Sequence, residues 1–560
     1  ECHGAHNTTG KRDPKSPTFP TNVPNLCARC HRQGQRAAVR YAGPERQIVE
    51  RYTESIHGKG LLKSGLVVTA MCTNCHTAHR ELPHENPSST VHPHNIPQTC
   101  GTCHNGIQEQ FARSVHSRDV SRTSKELPVC SDCHTAHRIR RTDEAGFKLT
   151  IMTQCGRCHQ PIARTYFDTY HGKVSQLGYT KTAKCYDCHG AHDILPVPDP
   201  RSHLSRVNVV ATCRKCHPGA TRRFAGYLTH ATHHDPKKYP WLFWTFWSMT
   251  ALLVGTFTVS GAHTLLWLPR ALQMRRQNGR AAATAGTLEY LRFSRLNRVL
   301  HVVMIVSFMS LALTGMTLKF SFTAWARGLS RLFGGFESAG YIHRVAACLM
   351  VAVFVTHLYD LVRRKGTEHG SWRAMLRRPD TMLPTRRDLA EFVGSIKWFL
   401  GLGPRPHYGR WTYWEKFDYF AVFWGIAAIG STGLTLWFPE FFTRFLPGWF
   451  INVATIIHSD EALLATGFIF TIHFFNTHLR PEKFPMDIVI FTGRMPLEEL
   501  QRDKPAEYQA LVERGELEKH LVEAYPPVVI QTVRIFAWGA LGLGFSMVIW
   551  IVYAMLFAYR

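Results

Sequence analysis

The stretch "CTNCHTAHR", Cys72–Arg80, sets two cysteines three residues apart, follows the second with His76, and adds His79 three residues later. The spacing C-x-x-C-H is the attachment signature of c-type haem: two thiols add to the vinyl groups and the histidine becomes an axial iron ligand. It occurs seven times, at Cys27, Cys30 and His31; Cys72, Cys75 and His76; Cys100, Cys103 and His104; Cys130, Cys133 and His134; Cys155, Cys158 and His159; Cys185, Cys188 and His189; and Cys213, Cys216 and His217. The chain opens "ECHGAH", so Cys2 and His3 read as the end of an eighth motif whose first cysteine precedes residue 1. A zinc site would group its cysteines into sets of four ligands, and a disulfide framework would not place a histidine after every second cysteine.

The 560 residues divide by composition. Residues 1–238 are polar and rich in Cys, His and Pro, whereas 239–560 repeatedly reach the roughly 20 apolar residues that a membrane helix needs. Fifteen of the 16 cysteines lie in the first part; Cys348 sits in an apolar segment of the second. The expected fold is mostly α: a loop-rich multihaem c-type domain with short helices over 1–238, then a six-helix transmembrane b-type bundle over 239–560. The formal charge of +26 suggests a polyanionic partner at first sight. Two propionates on each of about eight c-haems and two b-haems bring about twenty negative charges, which leaves the assembly mildly basic. Nucleic acid is therefore not an expected partner. Covalent haem attachment implies export of the first part across the inner membrane, with its secretory signal before residue 1.

Two kinds of motif alternate along the chain. In one, His-x-x-His follows at once, giving His3/His6, His76/His79, His134/His137 and His189/His192. In the other, a stretch that reads as helical intervenes: "CHNGIQEQFARSVHS" runs from His104 to His116, "CHQPIARTYFDTYHG" from His159 to His171, and "CHPGATRRFAGYLTH" from His217 to His230, while the His31 copy reaches His57 through an insertion. The first half thus reads as four two-haem units. If His76 and His79 share one helical turn they point to one side, and His79 cannot reach the far face of the haem that His76 binds. It is expected to serve a neighbouring haem. Eight haems need eight sixth ligands, and the repeat offers His6, His57, His79, His116, His137, His171, His192 and His230. His84, His92, His94, His203, His233 and His234 fall outside the pattern and read as surface or loop histidines. An iron with both axial seats filled favours electron transfer over bond-making chemistry.

Six apolar segments lie near 241–268, 296–319, 341–363, 414–438, 449–479 and 528–558. With the first half periplasmic, the loops near 269–295, 364–413 and 480–527 fall in the cytoplasm. They are the basic ones, as in "RALQMRRQNGR" (270–280) and "RRKGTEHGSWRAMLRR" (363–378), and the positive-inside rule agrees. Histidine inside a membrane segment is a functional hypothesis by default. His343 and His357 on the third segment are about 21 Å apart along a helix, and His458 and His473 on the fifth about 22 Å. Each pair returns to nearly one face, so two facing helices can clamp two stacked b-haems. His343 with His458 forms the periplasmic-side pair; His473 takes either His301 or His357, and the unused histidine is left to hydrogen-bond a quinone. His263 and His478 read as interfacial. Asp460 and Glu461, just after His458, and Asp360, just after His357, are candidates for proton transfer at the quinone, with solvated helix-end carboxylates as the equal alternative. "LEELQRDKPAEYQALVERGELEKHL" (497–521) reads as a solvated helix pair, with a partner contact as the alternative.

The segment "RLNRVLHVVMIVSFMSLALTGMTLKF" (295–320) resembles the first haem-binding helix of the cytochrome b subunits of formate dehydrogenase and membrane-bound hydrogenase. "YIHRVAACLMVAVFVTHLYDL" (341–361) and "IIHSDEALLATGFIFTIHFFNTHLRPEKFPMD" (456–487) are similar to that family's later histidine helices. The likeness spans roughly 290–490. It implies a quinone near the cytoplasmic-side haem and favours His301 with His473. The third segment departs from it, with two histidines where that family has one. The fourteen/fifteen spacing is also similar to cytochrome b of the quinol-oxidising bc and b6f complexes, which favours His357. Fused to c-haem motifs, the whole resembles the quinone-linked multihaem cytochrome bc proteins of anaerobic and metal-respiring bacteria. That likeness implies a protein of the bacterial inner membrane, set in lipid, exchanging electrons between quinone or quinol and periplasmic cytochromes or other redox proteins. Partner subunits of a respiratory complex fit the same reading. The rivals are a nitrogen- or sulfur-oxyanion reductase with a catalytic c-haem, and a haem-bearing anchor subunit of a larger complex.

Overall fold

The computed structural model describes residues 2–6, 8–41, 43, 45–277, 288–378, 380–484 and 486–558. It is mostly helical and falls into two compact units, Glu1–Ser175 with Tyr179–Ala225, and Gln176–Gly178 with Gly226–Arg560.

In the first unit, Cys72–His76, Cys130–His134 and Cys185–His189 are single-turn helices. Each is started by the residue before its second cysteine: Asn74, Asp132 and Asp187 accept from the backbone N–H of Met71, Val129 and Lys184 at 3.0, 2.7 and 2.7 Å, which satisfies an orphan donor of the first turn. Each is ended directly after its histidine, where Thr77, Thr135 and Gly190 have φ of 68°, 65° and 86°; Gly4 takes the same place in the opening fragment with φ 77°. Positive φ is easy for glycine and strained for a β-branched residue. His76 and His79 therefore do not share a helical turn: the helix stops at His76 and the chain turns away.

The other motifs sit at helix C-termini, in Val23–His31, Ile96–Gly101, Ala145–Cys158 and Val209–Arg214. The expected helices follow as Asn105–Ala112, and as Gln160–Asp168 with Tyr170–Gln176. After His217 the expected helix is reduced to one 3-10 turn, Phe224–Gly226. Pro218 and Gly219 stand at its start, one lacking an amide donor and the other with a poor helix propensity.

Six helices of the second unit are long and apolar enough to cross a membrane. They are α1 (Pro240–Gln277), α2 (Arg295–Lys319), α3 (Phe336–Arg364), α4 (Tyr413–Trp437), α5 (Trp449–Phe468, continued to Leu479 in wide turns) and α6 (Pro527–Tyr553). Helix α1 runs past Pro269, where the sequence suggested a loop; Trp267 and Ala271 flank that proline and are buried with Phe399, which holds the far turn in place. Residues 278–280 of the basic stretch lie outside the described residues. Helix α2 packs on α3, α4 on α5 and α1 on α5, and Met309, Met316, Leu463, Phe470, Phe474, Leu541 and Met547 join α2, α5 and α6 in one core. The outward faces carry exposed apolar residues such as Val259, Leu265, Val345 and Val355, as lipid-facing helices do.

Helices α2 and α4 repeat one another. Both have 25 residues, with Ser294 and Thr412 as N-caps. "TGMTLKF" (314–320) and "TGLTLWF" (432–438) are set 118 positions apart, as are the helix starts. Helix α5 departs from α3 by one residue between its histidines, and that residue is absorbed where Ile469–His473 forms a wide π turn. Such turns accompany functional positions in helices.

At one end of the bundle a small layer is built from β1 (Leu288–Leu291), β2 (Arg494–Pro496) and β3 (Leu521–Glu523), antiparallel in the order β2-β1-β3. Leu500 and Leu511 are buried there with Tyr290 and Met495. The segment 497–521 is thus not a solvated helix pair, because its leucines form the core beneath this sheet. Glu415 receives both Lys504 (2.7 Å) and Arg292 (2.9 Å), and Lys483 lies among Asp487, Glu499 and Asp503, so these buried charges are compensated.

Candidate functional site

Imidazoles from motifs far apart in sequence face each other in pairs. His79 opposes His3 with ring centres 6.1 Å apart and planes at 14°; His137 opposes His76 at 6.3 Å and 4°; His192 opposes His134 at 6.1 Å and 14°. A second set is tilted: His57 opposes His104, His116 opposes His159 and His171 opposes His217, all at 6.3 Å, with planes at 35°, 40° and 53°. A metal–nitrogen bond of about 2 Å on either side, with each ring centre about 1.1 Å further out, places two axial imidazoles about 6.3 Å apart. The gaps match one six-coordinate iron.

A simple rule orders these pairs. The second histidine of each His-x-x-His opposes the motif histidine two places earlier, and the long-spaced histidine opposes the one two places later. His79 accordingly faces the histidine of another motif, His3. Positive φ at Thr77 and Thr135 directs the first set. In the second set a hydroxyl two residues before each histidine caps the turn: Ser55 accepts from Gly58 N–H (2.9 Å), Ser114 from His116 N–H (3.1 Å) and Thr169 from Gly172 N–H (3.2 Å). The recurring [ST]-x-H-[GS] was legible in the sequence and would have marked these three histidines. A side chain at Gly58 or Gly172 would strike the carbonyl oxygen of Tyr52 or Tyr166. Among the described residues no imidazole faces His6 or His31, and His189 and His230 belong to different units.

The thiols of successive motifs lie near one another. Cys27 lies beside Cys72, Cys100 beside Cys130, and Cys155 beside Cys185. Cys75 lies close to Cys100 and Cys103, Cys133 to Cys155 and Cys158, and Cys188 to Cys213 and Cys216. Cys2 and Cys30 are exposed. Burial, reinforced by the opposing imidazole, lowers the pKa of His57, His76, His116 and His134 and pushes His171 down to about 4; burial likewise lowers His192. The neutral form is the ligating one.

In the second unit His343 of α3 opposes His458 of α5 with ring centres 6.3 Å apart and planes at 59°. His458 Nδ1 donates to the Ile429 carbonyl (3.0 Å), and His343 Nδ1 is 2.8 Å from Thr314 Oγ1. A proton held on Nδ1 leaves the Nε2 lone pair free, the arrangement typical of metal-bound histidine. Gly315 and Gly433 make room: a Cβ at Gly433 would come within 3.1 Å of His458, and one at Gly315 within 3.5 Å of His343.

Towards the other end of the same helices, His301 neighbours both His473 and His478. His473 Nδ1 donates to Asp418 Oδ2 (2.8 Å), and His301 Nδ1 is buried without a hydrogen-bond partner. His357 is placed apart from this group, with Nε2 2.8 Å from the Tyr419 hydroxyl. Sequence reading missed Asp418, Thr314 and Tyr419; the duplicated T-G-x-T-L was the available signal. Of the three carboxylate candidates, Asp360 is tied to Arg363 (3.0 Å) and Arg364 (2.8 Å), and Asp460 to Lys319 (2.7 Å). Glu461 is buried with Oε2 unpartnered. His263 bonds Tyr413 (2.6 Å) and His203 bonds Asp193 (2.9 Å), which are local structural roles.

Among the described residues no three or more His, Cys, Asp or Glu side chains gather to hold a bare metal ion; paired imidazoles are the recurring arrangement. No family model matches the chain, and no curated protein is significantly similar to it.

Proposed function

We propose that the chain is a transmembrane electron conduit of the quinone-linked multihaem cytochrome bc kind, set in the bacterial inner membrane with its first unit in the periplasm. Electrons pass between the quinone pool, two b-haems on α2, α3 and α5, and c-haems on the C-x-x-C-H motifs, then exchange with periplasmic redox proteins. The observation that carries this reading is the repeated spacing of 6.1–6.3 Å between opposed imidazoles, each pair including the histidine of such a motif or lying within the bundle.

Haem, when bound, supplies one-electron redox chemistry. The chain's own residues do the rest. The cysteines would anchor each ring, and the opposed histidines would hold six of the c-haems and one b-haem from both sides. The thiols of successive motifs lie near one another from Cys27 to Cys216, so successive sites are adjacent. Two filled seats favour electron transfer over substrate reduction at these motifs.

The test is a redox titration of the purified protein with a quinol, following b- and c-haem absorbance separately. Reduction of both kinds at quinol potentials, with wholly low-spin spectra, is the expected result. Absence of haem, or failure of quinol to reduce either kind, would overturn the proposal; carbon monoxide binding by the reduced protein would favour an oxyanion reductase.

A further inference from the structure

We infer that His357 and Tyr419 form the head-group site for the quinone, at a position of the internal repeat that corresponds to the inner b-haem site. The inference rests on the quinone-linked reading above. The interval of 118 residues that relates α2 to α4 carries Ser294 onto Thr412, Thr314 onto Thr432 and Gly315 onto Gly433, and it carries His301 onto Tyr419. The two halves therefore present two related positions at one depth. At one, His301 of α2 neighbours His473 of α5. At the other, Tyr419 of α4 meets His357 of α3.

The second position is not built for a metal. Two axial donors on one iron stand about 4 Å apart, twice a metal–nitrogen bond, and the 2.8 Å between Tyr419 Oη and His357 Nε2 is a direct hydrogen bond. What the pair offers instead is reversibility. Phenol and neutral imidazole can each donate or accept. With Nε2 protonated, His357 donates to the Tyr419 oxygen and the Tyr419 hydroxyl donates outward to a quinone carbonyl. With Nδ1 protonated, Tyr419 donates to Nε2 and its oxygen accepts from a quinol hydroxyl. One chain of bonds thus recognises both redox states.

The surroundings select the rest of the ligand. Phe354 and Phe423 pack at 5.0 Å between ring centres, with Phe423 also 6.4 Å from His357, and give a planar ring something to lie against. Val355 and Tyr359, on the same turns of α3, are 57% and 68% exposed, so in a bilayer the approach is through lipid. Asp360, the nearest acid on α3, is committed to Arg363 and Arg364. Tyr419 follows Asp418, the residue that holds His473, so a head group here adjoins the inner histidine pair.

The experiment titrates the full-length, haem-loaded protein with an alkyl hydroxyquinoline N-oxide, a mimic of the quinol head group, by quenching of the ligand's fluorescence. It also records b-haem reduction by a short-chain menaquinol. Tyr419→Phe, which removes only the hydroxyl, and His357→Gln should each weaken binding at least tenfold with b-haem content and spectra unchanged. Wild-type affinity in both variants would place the site elsewhere and overturn the inference, as would loss of one b-haem from His357→Gln, which would make His357 an iron ligand. If menaquinol fails to reduce the b-haems of the unaltered protein, the quinone-linked reading itself falls, whatever the variants do.

Discussion

Asp418 Oδ2 lies 2.8 Å from His473 Nδ1, within hydrogen-bonding distance across the α4–α5 interface. A carboxylate on a histidine's second nitrogen fixes the ring's orientation and raises its basicity as a ligand, and losing such a partner typically costs 10–100-fold in metal affinity. Asp418→Ala should therefore lower occupancy of the inner b-haem and leave the His343–His458 site filled. The haem b to haem c ratio of purified protein checks this, and an unchanged ratio with an unchanged midpoint potential would remove Asp418 from the site.

The pairing of His137 with His76 makes a prediction that nearest-neighbour intuition does not. His137→Met should change the haem on Cys72 and Cys75, two motifs away, and leave the haem on Cys130 and Cys133 with two imidazoles. Low-spin electron paramagnetic resonance resolves this, because near-parallel and tilted imidazole planes give different g-value patterns. The unaltered protein should show both kinds, matching the 4–14° and 35–53° sets. A single signal type would contradict the two geometries.

Thr135 and Gly190 occupy equivalent turns but are not interchangeable. A Cβ at Gly190 would lie 2.5 Å from Asp193 Oδ1 and 3.1 Å from His203, on top of the cost of positive φ. Gly190→Thr should destabilise the first unit by about 1–3 kcal/mol, whereas Thr135→Gly should be neutral or slightly stabilising, since strain relief offsets the added chain entropy of about 0.5–1 kcal/mol. Denaturant midpoints of the two variants decide it.

Acid should destabilise the first unit before its carboxylates are protonated. His171 is lowered from 6.5 to about 4 in the folded chain, so between those values the unfolded chain binds the extra proton. Stability then rises with pH in this window and is lost as pH falls from about 6.5 to 4. Melting temperatures recorded across that range should fall steadily toward acid, and His171→Gln should flatten the slope. A pH-independent melting temperature between 4 and 6.5 would refute the burial of these imidazoles.

The C-x-x-C-H motifs, their alternation and the six apolar spans are readable because each depends on a few neighbouring residues. Thiol addition needs only C-x-x-C-H, and partition into lipid needs only a long apolar run. The [ST]-x-H-[GS] turns and the two T-G-x-T-L copies are likewise written in short stretches. Which imidazoles oppose one another could not be read that way. His3 and His79, or His343 and His458, meet through the packing of elements distant in the chain, and one positive φ at Thr77 or one wide turn before His473 redirects a ring by a large angle. Sequence alone left His301 and His357 as equal rivals for the inner site. The tertiary structure puts them in different surroundings, because α4 sets Asp418 toward α5 and the next residue, Tyr419, toward α3, so that His473 neighbours His301 while His357 bonds a phenol.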